Sequence, residues 1–465
     1  MDARPEPFVP PAPTPRTQPP SMLEVIRTVM NNPLELWGEP SYNEPWILTK
    51  FLNERTLIAN HPGLIRHVLV DNAANYRMGV IRQLVLRPIL NDGLLTAEGE
   101  VWKRSRKAMA PVFTPRHARG FAAQMLERSE NFNARYAAVG PEGGVFDISR
   151  DMTELTFDIL AETLFSNEVR GSDDGFAEDV DRLLSTMGRV DPLDLVKAPT
   201  WIPRVMRIAG RRVMAKFRSI VRQTMEARLE RMKAAPDSVP EDFLTLLLRQ
   251  MGPDGLSEQE IEDNLVTFIG AGHETTARAL AWTLYCLANS PAGRLEVEAE
   301  IDRVTASEPD PVKWLDQMPW TRAVFEEAMR LYPPAPSLNR RALEEDVYTA
   351  PDGNSITIPK DVTVLVMPWT LHRHRKLWDR PEAFIPQRFL PEHRGEIDRF
   401  QYLPFGAGPR VCIGATFALQ EAVIALAVLL GRYRFDALPD TSPWPVQKLT
   451  TQPAGGLRMR VTPRG

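Results

Sequence analysis

Cysteine is scarce in this sequence: the chain of 465 residues contains two, Cys286 and Cys412. Two cysteines exclude a disulfide framework and a four-cysteine iron–sulfur cluster, and such scarcity is typical of proteins from a reducing cytoplasm. An excess of positive charge is also lacking, since the formal net charge is −4. This balance argues against a generally basic surface that binds nucleic acid. We therefore expect a cytoplasmic protein without a nucleic acid partner.

Long hydrophobic runs are absent as well. No uninterrupted stretch reaches the roughly 18 apolar residues of a membrane span, and the N-terminus has no basic segment followed by an apolar one, as a secretory signal has. We therefore expect no membrane anchor. Residues 1–20 contain eight prolines and little to bury, which predicts a flexible, extended tail. Residues 21–465 contain no Gly/Ser-rich linker and no repeat, so we expect them to form a single domain.

Helical patterns dominate from about residue 100 to 335. Strand-like segments occur in "SITIP" and "VTVLVM", between residues 340 and 370, and in "GLRMRVTP" near the C-terminus. The expected fold class is therefore mainly α with minor β (α+β). The longest helix is predicted to begin after "LS", where Ser257 and Glu260 form a capping box, and to end before Pro291.

The centre of this helix breaks several local rules. Gly270 and Gly272 lie in its interior, where glycine costs roughly 1 kcal/mol relative to alanine, and the acidic Glu274 follows them. Exceptions concentrated at one place are typical of a functional site. The alternative is that the glycines serve close helix–helix packing and that Glu274 is solvated. Cys286, on the apolar latter part of the helix, is interpreted as structural.

Cys412 lies in "FGAGPRVCIG", residues 405–414, ahead of an apolar helix. The helix N-terminus should lower the pKa of its thiol, and Gly406, Gly408 and Gly414 leave room for a flat molecule to approach the backbone. A lone thiolate can be a nucleophile, a redox-sensing thiol or a metal ligand. Zinc is disfavoured because no second cysteine or histidine lies at short spacing. A catalytic Cys–His pair stays open, and haem iron needs only one such protein ligand.

"FGAGPRVCIG" matches the F-x-x-G-x-R-x-C-x-G motif of the cytochrome P-450 haem-thiolate superfamily at every fixed position, and the chain resembles the soluble bacterial members. The resemblance implies the fold of that family, with a long central helix over haem b and small β-sheets at one side. It implies that Cys412 is the axial ligand of the iron, that Phe405 packs beside the sulfur and that Arg410 pairs with a haem propionate. The resemblance also implies that Gly414, at the last fixed position of the motif, is one of the cofactor-binding residues.

A second segment, "WKRSR", resembles the family helix that contacts a propionate. It places Trp102 and Arg106 four residues apart, on one helix face. Trp102 on its own would more often be a core residue. Arg340 aligns more loosely with another propionate ligand of the family. The same segment carries a basic cluster, Lys103, Arg104, Arg106 and Lys107, which is interpreted either as part of a docking patch for an acidic partner or as a solvated helix face.

"EAMRLYPP" resembles the E-x-x-R helix of the family and places Glu327 and Arg330 within pairing reach. "PEAFIPQRFL" resembles the segment that adds a second arginine, Arg388, to this charge cluster. The chain departs from the family at Gln387, where glutamate is more frequent. The alternative for an isolated E-x-x-R is a solvated helix pair, worth about 0.3–0.5 kcal/mol.

"GHETT", preceded by Ala271, resembles the oxygen-binding groove of the central helix. The resemblance implies that Glu274 relays protons and that Thr275 hydrogen-bonds the oxygen species at the iron. This acid–alcohol pair favours an O2-dependent monooxygenase. His372 and His374, in the basic stretch "LHRHRKLW", are expected at the surface and not as metal ligands.

The resemblance implies insertion of one oxygen atom from O2 into a lipophilic organic substrate, by hydroxylation or epoxidation. NAD(P)H electrons would arrive indirectly, through a ferredoxin with its reductase or a flavodoxin-type donor, since no flavin or iron–sulfur region is evident. The alternatives are a peroxide-dependent or isomerase-type enzyme and a non-catalytic haem sensor. The expected substrate pocket is mostly apolar and comprises Ile81, Leu84, Val85, Phe268, Ala271, Ala335, Leu338 and Thr451.

Overall fold

The computed structural model describes residues 6–51, 54–168, 191, 193, 205–253 and 255–464. This part of the chain is mainly α-helical with small β-sheets, as the sequence predicts. Its α-helices are, in chain order, α1 (Met22–Asn31), α2 (Pro62–Arg66), α3 (Val80–Leu90), α4 (Gly99–Met109), α5 (Pro115–Gly120), α6 (Ala122–Asn133), α7 (Ile148–Phe165), α8 (Val205–Ala234), α9 (Phe243–Leu248), α10 (Glu258–Ala288), α11 (Pro291–Ser307), α12 (Trp314–Gln317), α13 (Pro319–Leu331), α14 (Pro368–Leu371) and α15 (Ala415–Arg432).

The strands are β1 (Trp46–Phe51), β2 (Glu54–Ala59), β3 (Tyr76–Met78), β4 (Gly144–Asp147), β5 (Leu338–Ala342), β6 (Asp346–Thr349), β7 (Ser355–Ile358), β8 (Thr363–Val366), β9 (Tyr433–Ala437), β10 (Pro445–Gln447), β11 (Thr451–Pro453) and β12 (Arg458–Pro463). They pair as a five-stranded sheet of order β1-β2-β8-β5-β3, a three-stranded sheet β4-β12-β9, and the pairs β6-β7 and β10-β11. In the five-stranded sheet β2 and β8 are parallel. The strands predicted in "SITIP", "VTVLVM" and "GLRMRVTP" are confirmed as β7, β8 and β12.

The central helix α10 begins at the predicted capping box. The Ser257 hydroxyl accepts a hydrogen bond from the Glu260 amide at 3.2 Å, and the Glu260 carboxylate accepts one from the Ser257 amide at 2.8 Å. The helix runs for 31 residues, or about 46 Å at 1.5 Å per residue. It ends at Ala288, and Pro291 is the first residue of α11. Helices α7, α8 and α13 pack around it, so most of its side chains are buried.

The hydrophobic core has two large parts that meet at the segment before Cys412. The larger part lies among the helices, where Trp282 stacks on Tyr332 with ring centroids 3.8 Å apart. The other part lies along the five-stranded sheet and includes Leu403. Phe405, two residues further, packs against the helical part. The Cys412 loop is therefore held between the helices and the sheet.

Helix α15 follows directly after this loop and lies in the helical core. By length and composition it is apolar enough to cross a membrane, but 67% of its residues are buried inside the protein. It packs against α6 and α13. Burial in the core therefore accounts for its apolar composition.

The N-terminal segment lies against the domain from residue 6 onward. Phe8 packs edge-on against Tyr285, with ring centroids 5.9 Å apart, and its carbonyl accepts a hydrogen bond from the Phe384 amide at 2.8 Å. The carbonyl of Pro11 accepts one from the Tyr332 hydroxyl at 2.7 Å. The prediction of a flexible tail is therefore wrong for this part. A proline-rich segment keeps its carbonyls as acceptors and, because its φ angles are already fixed, loses little entropy when it packs.

Candidate active site

The loop around Cys412 is closed by main-chain hydrogen bonds. The Cys412 amide donates to the Phe405 carbonyl at 2.9 Å, and the Gly406 amide donates to the Leu403 carbonyl at 3.2 Å. Gly406 has a φ of 71°, in the left-handed region that residues with a side chain rarely adopt. The residues from 403 to 412 thus form a compact turn that fixes the position of the sulfur.

The other two glycines of the motif have different roles. Gly408 has a φ of 74°, and a Cβ added there would lie 1.8 Å from the Leu69 carbonyl oxygen. Gly408 therefore permits the close approach of two main-chain segments and does not provide space for a ligand. A Cβ on Gly414 would meet nothing within 4 Å. Of these two, Gly414 is the position that leaves open space near Cys412.

The Cys412 side chain keeps accessible surface, yet the protein around it is dense enough that burial raises the pKa of the thiol. Two groups act in the lowering direction: the Gly414 amide, which is hydrogen-bonded to the sulfur, and the guanidinium of Arg106. The amide at the helix N-terminus therefore lowers this pKa, as expected, but burial outweighs it, so the net shift in the protein alone is upward. A bound metal cation would reverse the balance, because it deprotonates a coordinating thiol.

Trp102 and Arg106, on α4, lie beside the loop. Arg106 Nη1 donates to the Val411 carbonyl at 3.1 Å. The Arg410 guanidinium lies over the Trp102 ring, 4.5 Å from its centroid, and pairs with Glu98 at 2.8 Å. Arg410 Nη1 is buried and has no hydrogen-bond acceptor among the described residues. Helix α4 and the Cys412 loop therefore form one wall that contains a buried donor able to bind a further acceptor.

Strand β5 reaches the same loop. A Cβ on Gly406 would lie 3.8 Å from Leu338 Cδ1, so the Leu338 side chain approaches the turn. Arg340, two residues along the strand, shares that face because side chains alternate along a strand. It is half-buried, and its Nη1 donates to the Asn339 carbonyl at 2.9 Å. Arg340, which aligns with the family only loosely, therefore places a cation on the side of β5 that faces the loop.

Glu327 and Arg330, on α13, form a fully buried ion pair. Arg330 Nε and Nη2 donate to the two carboxylate oxygens at 2.7 and 2.8 Å. Its three other N–H groups donate to main-chain carbonyls, those of His372, Pro381 and Ala383. Arg388 Nε lies 3.5 Å from Glu327 Oε1. The three predicted residues are together, and their burial excludes the alternative of a solvated pair.

His372 connects this cluster to the Cys412 loop. Its Nε2 accepts a hydrogen bond from the Leu403 amide at 2.9 Å, and its Nδ1 lies 3.2 Å from the Arg330 carbonyl oxygen. The ring is neutral with the proton on Nδ1, since burial and then Arg330 lower the pKa of His372 to about 3. His372 and His374 are 0% and 3% exposed. The prediction of a surface stretch is wrong because main-chain groups satisfy these rings inside the protein.

At the centre of α10 the acid and the alcohol have different partners. Glu274 is 4% exposed, and its Oε1 accepts a hydrogen bond from the Thr450 hydroxyl at 2.7 Å. Thr275 is half-buried and donates to the Ala271 carbonyl at 2.8 Å. Ala271 is exposed although most side chains of this helix are buried. Ala271 and Thr275 thus mark an accessible patch on the helix, and the alternative of a solvated Glu274 is wrong.

The neighbouring residues of α10 face α7. A Cβ on Gly272 would lie 2.4 Å from Leu160 Cδ1, so Gly272 serves the close helix–helix packing that was the alternative for the glycines. His273 is fully buried, with Nδ1 2.6 Å from the Ile269 carbonyl oxygen and its ring edge-on to Phe157. This face of the helix is structural, and the accessible patch lies apart from it.

The residues predicted for the pocket fall into two groups. Four keep accessible surface: Leu84, Ala271, Ala335 and Leu338. Three are buried: Val85, Phe268 and Thr451. Phe268 stacks on Phe113 with ring centroids 5.0 Å apart, and the Thr451 hydroxyl donates to the Pro333 carbonyl at 2.7 Å. The Phe268 ring and the Thr451 hydroxyl are therefore engaged with other parts of the protein. The side chain of Ile81 lies outside the described residues.

Sequence reasoning missed two buried polar residues near the site, Thr450 and Glu421, and it placed a third, His372, at the surface. Glu421, on α15, is hydrogen-bonded to Thr276, and burial raises the pKa of its carboxyl well above the usual range. Single polar residues of this kind carry no local pattern. Thr450 and Glu274 are 176 residues apart in the chain, so only the fold reveals their contact.

Haem fits the residues present on two observations. The buried Arg410 Nη1, without an acceptor among the described residues, can donate to a propionate. The open side of Gly414 adjoins the accessible Cys412. Cys412 would hold the iron, and the cations Arg106, Arg340 and Arg410 would serve the propionates. Within the described part of the chain, no cluster of His, Cys, Asp and Glu could hold another metal ion.

Comparisons with known proteins relate the chain to one family. The family model Cytochrome P-450 matches residues 39–459. The chain is 32% identical over 409 residues to cyclooctatin synthase of Streptomyces melanosporofaciens, covering 87% of this chain and 85% of that protein. It is 30% identical over 431 residues to leukotriene-B4 omega-hydroxylase 3 of Mus musculus, covering 87% and 79%. The crystal structure of a cytochrome P-450 (CYP102L1) superposes with a TM-score of 0.78 at 24% identity, covering 98% of this chain and 100% of that one, which shows the shared fold.

Proposed function

The chain belongs to the cytochrome P-450 family and is one of its haem-dependent monooxygenases, and from this premise we propose that it hydroxylates or epoxidises a lipophilic organic substrate with one oxygen atom from O2. Haem bound at Cys412 supplies the activation of O2. The observation that carries the proposal is the acid–alcohol pair of α10, in which buried Glu274 precedes accessible Thr275.

The two residues divide the handling of protons. The Glu274 carboxyl can hold a proton at one oxygen and accept one at the other. The Thr275 hydroxyl, which donates to the Ala271 carbonyl, can turn its proton toward a ligand at the accessible patch. Ala271 and Leu338 are apolar residues that keep accessible surface, and apolar walls exclude water from a site. We infer that these groups deliver protons and that the walls keep bulk solvent away.

Two other functions compete with this one. A peroxide-dependent or isomerase-type enzyme needs no protons from an acid–alcohol pair, and a haem sensor needs no turnover. Glu274 is buried and accepts a hydrogen bond from Thr450. Burying an acid costs free energy, and local exceptions of this kind concentrate at functional sites, which supports the O2-dependent function.

The electrons are proposed to come from NAD(P)H through a ferredoxin with its reductase, or through a flavodoxin-type donor, in the cytoplasm. The basic cluster of α4 supports an acidic partner only in part. Lys103 pairs with Glu100 at 2.7 Å, and Arg104 pairs with Glu260. Lys107 is exposed. Reversal of Lys103, Arg104 and Lys107 to Glu should slow electron transfer at low salt and leave substrate binding unchanged, whereas Lys50→Glu on β1 serves as a matched control. Equal rates in all variants would exclude this patch.

The proposed substrate class is lipophilic, with fatty acids, terpenoids, alkanes and aromatic compounds as candidates. The side chains that keep accessible surface in the predicted pocket, Leu84, Ala271, Ala335 and Leu338, are all apolar. Apolar walls with few polar groups suit such compounds. The names of the two relatives point to different molecules, cyclooctatin and leukotriene B4, so they support the class and not one compound.

One experiment tests the proposed function directly. Lipophilic compounds are screened for a low- to high-spin shift of the haem spectrum, and the hits are incubated with NADH, NADPH and a ferredoxin system under 18O2. We expect one labelled oxygen atom per product molecule and a red-shifted ferrous–CO band that is lost in Cys412→Ala. Product without the label, or product formed equally well without O2, would favour the peroxide-dependent or isomerase-type alternative.

A further inference from the structure

The turn between β10 and β11 contacts the central helix at its acid. The Thr450 hydroxyl donates to Glu274 Oε1 at 2.7 Å, and both residues are 4% exposed. Because the contact is buried, water does not readily replace the hydroxyl as a donor. The turn is thus in a position to set where this carboxyl lies.

This turn is fixed from three sides. Thr451, which follows Thr450, receives a hydrogen bond from Trp282 Nε1 at its carbonyl, at 3.3 Å. Its own hydroxyl donates to the Pro333 carbonyl at 2.7 Å, and its amide donates to the Pro334 carbonyl at 3.1 Å. Pairing of Gln447 with Thr451 closes the hairpin. The Thr450 hydroxyl is therefore anchored to the fold, whereas the Glu274 side chain has rotatable bonds, so the turn orients the carboxyl.

A hydroxyl suits both protonation states of its partner. It can donate to a carboxyl oxygen, as the Thr450 hydroxyl does to Glu274 Oε1, and its lone pairs can accept from the O–H of a carboxylic acid. A valine of the same shape can do neither, and a serine can do both. Threonine at this position therefore allows Glu274 to gain and lose a proton without losing its contact.

We propose that Thr450 is a positioning residue for proton delivery: its hydroxyl holds the Glu274 carboxyl in the orientation from which a proton passes to the Thr275 side of α10. This rests on the proposed function, in which Glu274 handles protons. If the hydrogen bond between the turn and the helix were only structural, its loss would weaken the fold and leave the product formed per NAD(P)H consumed unchanged.

The test compares Thr450→Val, Thr450→Ser and Glu274→Gln in the holoenzyme, with Thr163→Val as the matched control. The Thr163 hydroxyl is buried on α7 and donates to its own helix, at the Ile159 carbonyl. Thr450→Val should lower the product formed per NAD(P)H consumed by about tenfold, as misplacement of a catalytic group does. Thr450→Ser should stay within about twofold of the parent protein, and the double variant Thr450→Val/Glu274→Gln should match Glu274→Gln, since coupled sites are not additive.

A second readout needs no turnover. Isotope-edited infrared spectra of the ferric holoenzyme contain a Glu274 carboxyl band, assigned by its loss in Glu274→Gln. This band should shift in Thr450→Val and stay in place in Thr450→Ser and Thr163→Val. Three results would each overturn the proposal: a carboxyl band that does not move in Thr450→Val, an unchanged yield of product per NAD(P)H in that variant, or effects of the two substitutions that add in the double variant. If the parent protein gives no O2-dependent product, the proposed function fails, while the infrared comparison still decides whether Thr450 positions the carboxyl.

Discussion

Arg330→Met tests whether the buried charge cluster behind the Cys412 loop stabilises the fold. The variant leaves Glu327, which is 0% exposed, without its bidentate partner, and three carbonyls lose their donor. Removing one partner of a buried ion pair costs about 3–5 kcal/mol, a large share of the roughly 5–15 kcal/mol that stabilises a typical protein. Arg322→Met is the matched control on the same helix. Arg322 pairs with Glu326 at 3.1 Å and is 39% exposed, and the buried Glu326 keeps a second cation, Arg394, at 3.8 Å, so we expect a smaller loss of about 1 kcal/mol.

The assay is urea unfolding followed by tryptophan fluorescence and by haem absorbance. The midpoint of Arg330→Met should fall far below that of Arg322→Met. If Arg330→Met does not accumulate as folded protein, Arg330→Lys replaces it, since lysine keeps a charge but has three donors in place of five. The double variant Glu327→Leu/Arg330→Met should recover part of the loss, because no buried charge is left unpaired. Equal midpoints for Arg330→Met and Arg322→Met would refute the reasoning.

Three further predictions concern single residues near the site. Gly408→Ala must place a Cβ against the Leu69 carbonyl at a φ of 74°, so we expect the free energy of unfolding in urea to fall by about 2 kcal/mol or more. In the control Gly395→Ala the added Cβ meets nothing within 4 Å, so that variant should be neutral. His372 has a pKa of about 3 in the folded protein, below its unfolded value of about 6.5. Its stabilising contribution is therefore present above pH 6.5 and is lost as pH falls toward 3, by up to about 1.4 kcal/mol per pH unit. Urea unfolding of His372→Asn at several pH values should lack this loss. The raised pKa of Glu421 has the opposite sign, so the parent protein should lose stability relative to Glu421→Gln as pH rises from about 5 to 8; parallel pH profiles would contradict it.

Local patterns were predictable from the sequence, and long-range contacts were not. The capping box of Ser257 and Glu260 and the alternation in "VTVLVM" are decided within a few residues, and both are confirmed. The end of α10 was placed slightly late, because Pro291 is compatible with the first turn of the next helix. The burial of His372 depends on Arg330 and Leu403, which lie in other segments. Its polar sequence context indicated the surface, and tertiary packing overrode that indication.

The same limit applies to charge at the site. The helix N-terminus after Cys412 lowers the pKa of its thiol, as the sequence suggested, and the cation Arg106 also lowers it, but burial has the larger effect. Burial depends on what packs around the loop, and α4, β5 and the segment near Leu69 come from distant parts of the chain. The motif therefore identifies the Cys412 sulfur as the atom used at the site, but it does not give the protonation state of the thiol that the protein alone favours.

The two sides of the site are held by contacts of different strength, and this difference predicts how each responds to substitution. The Cys412 loop is tied through Leu403 and His372 to Arg330, whose five donors are all engaged. Glu274, on α10, accepts at Oε1 a hydrogen bond from the hydroxyl of Thr450. A network of buried, charge-assisted bonds loses stability when one member is removed. One hydrogen bond from a neutral hydroxyl to a carboxyl contributes about 1 kcal/mol or somewhat more. Substitutions in the Arg330 network should therefore mainly lower the stability of the fold. Substitutions at Thr450 should instead lower the product formed per NAD(P)H consumed, in a protein that remains folded.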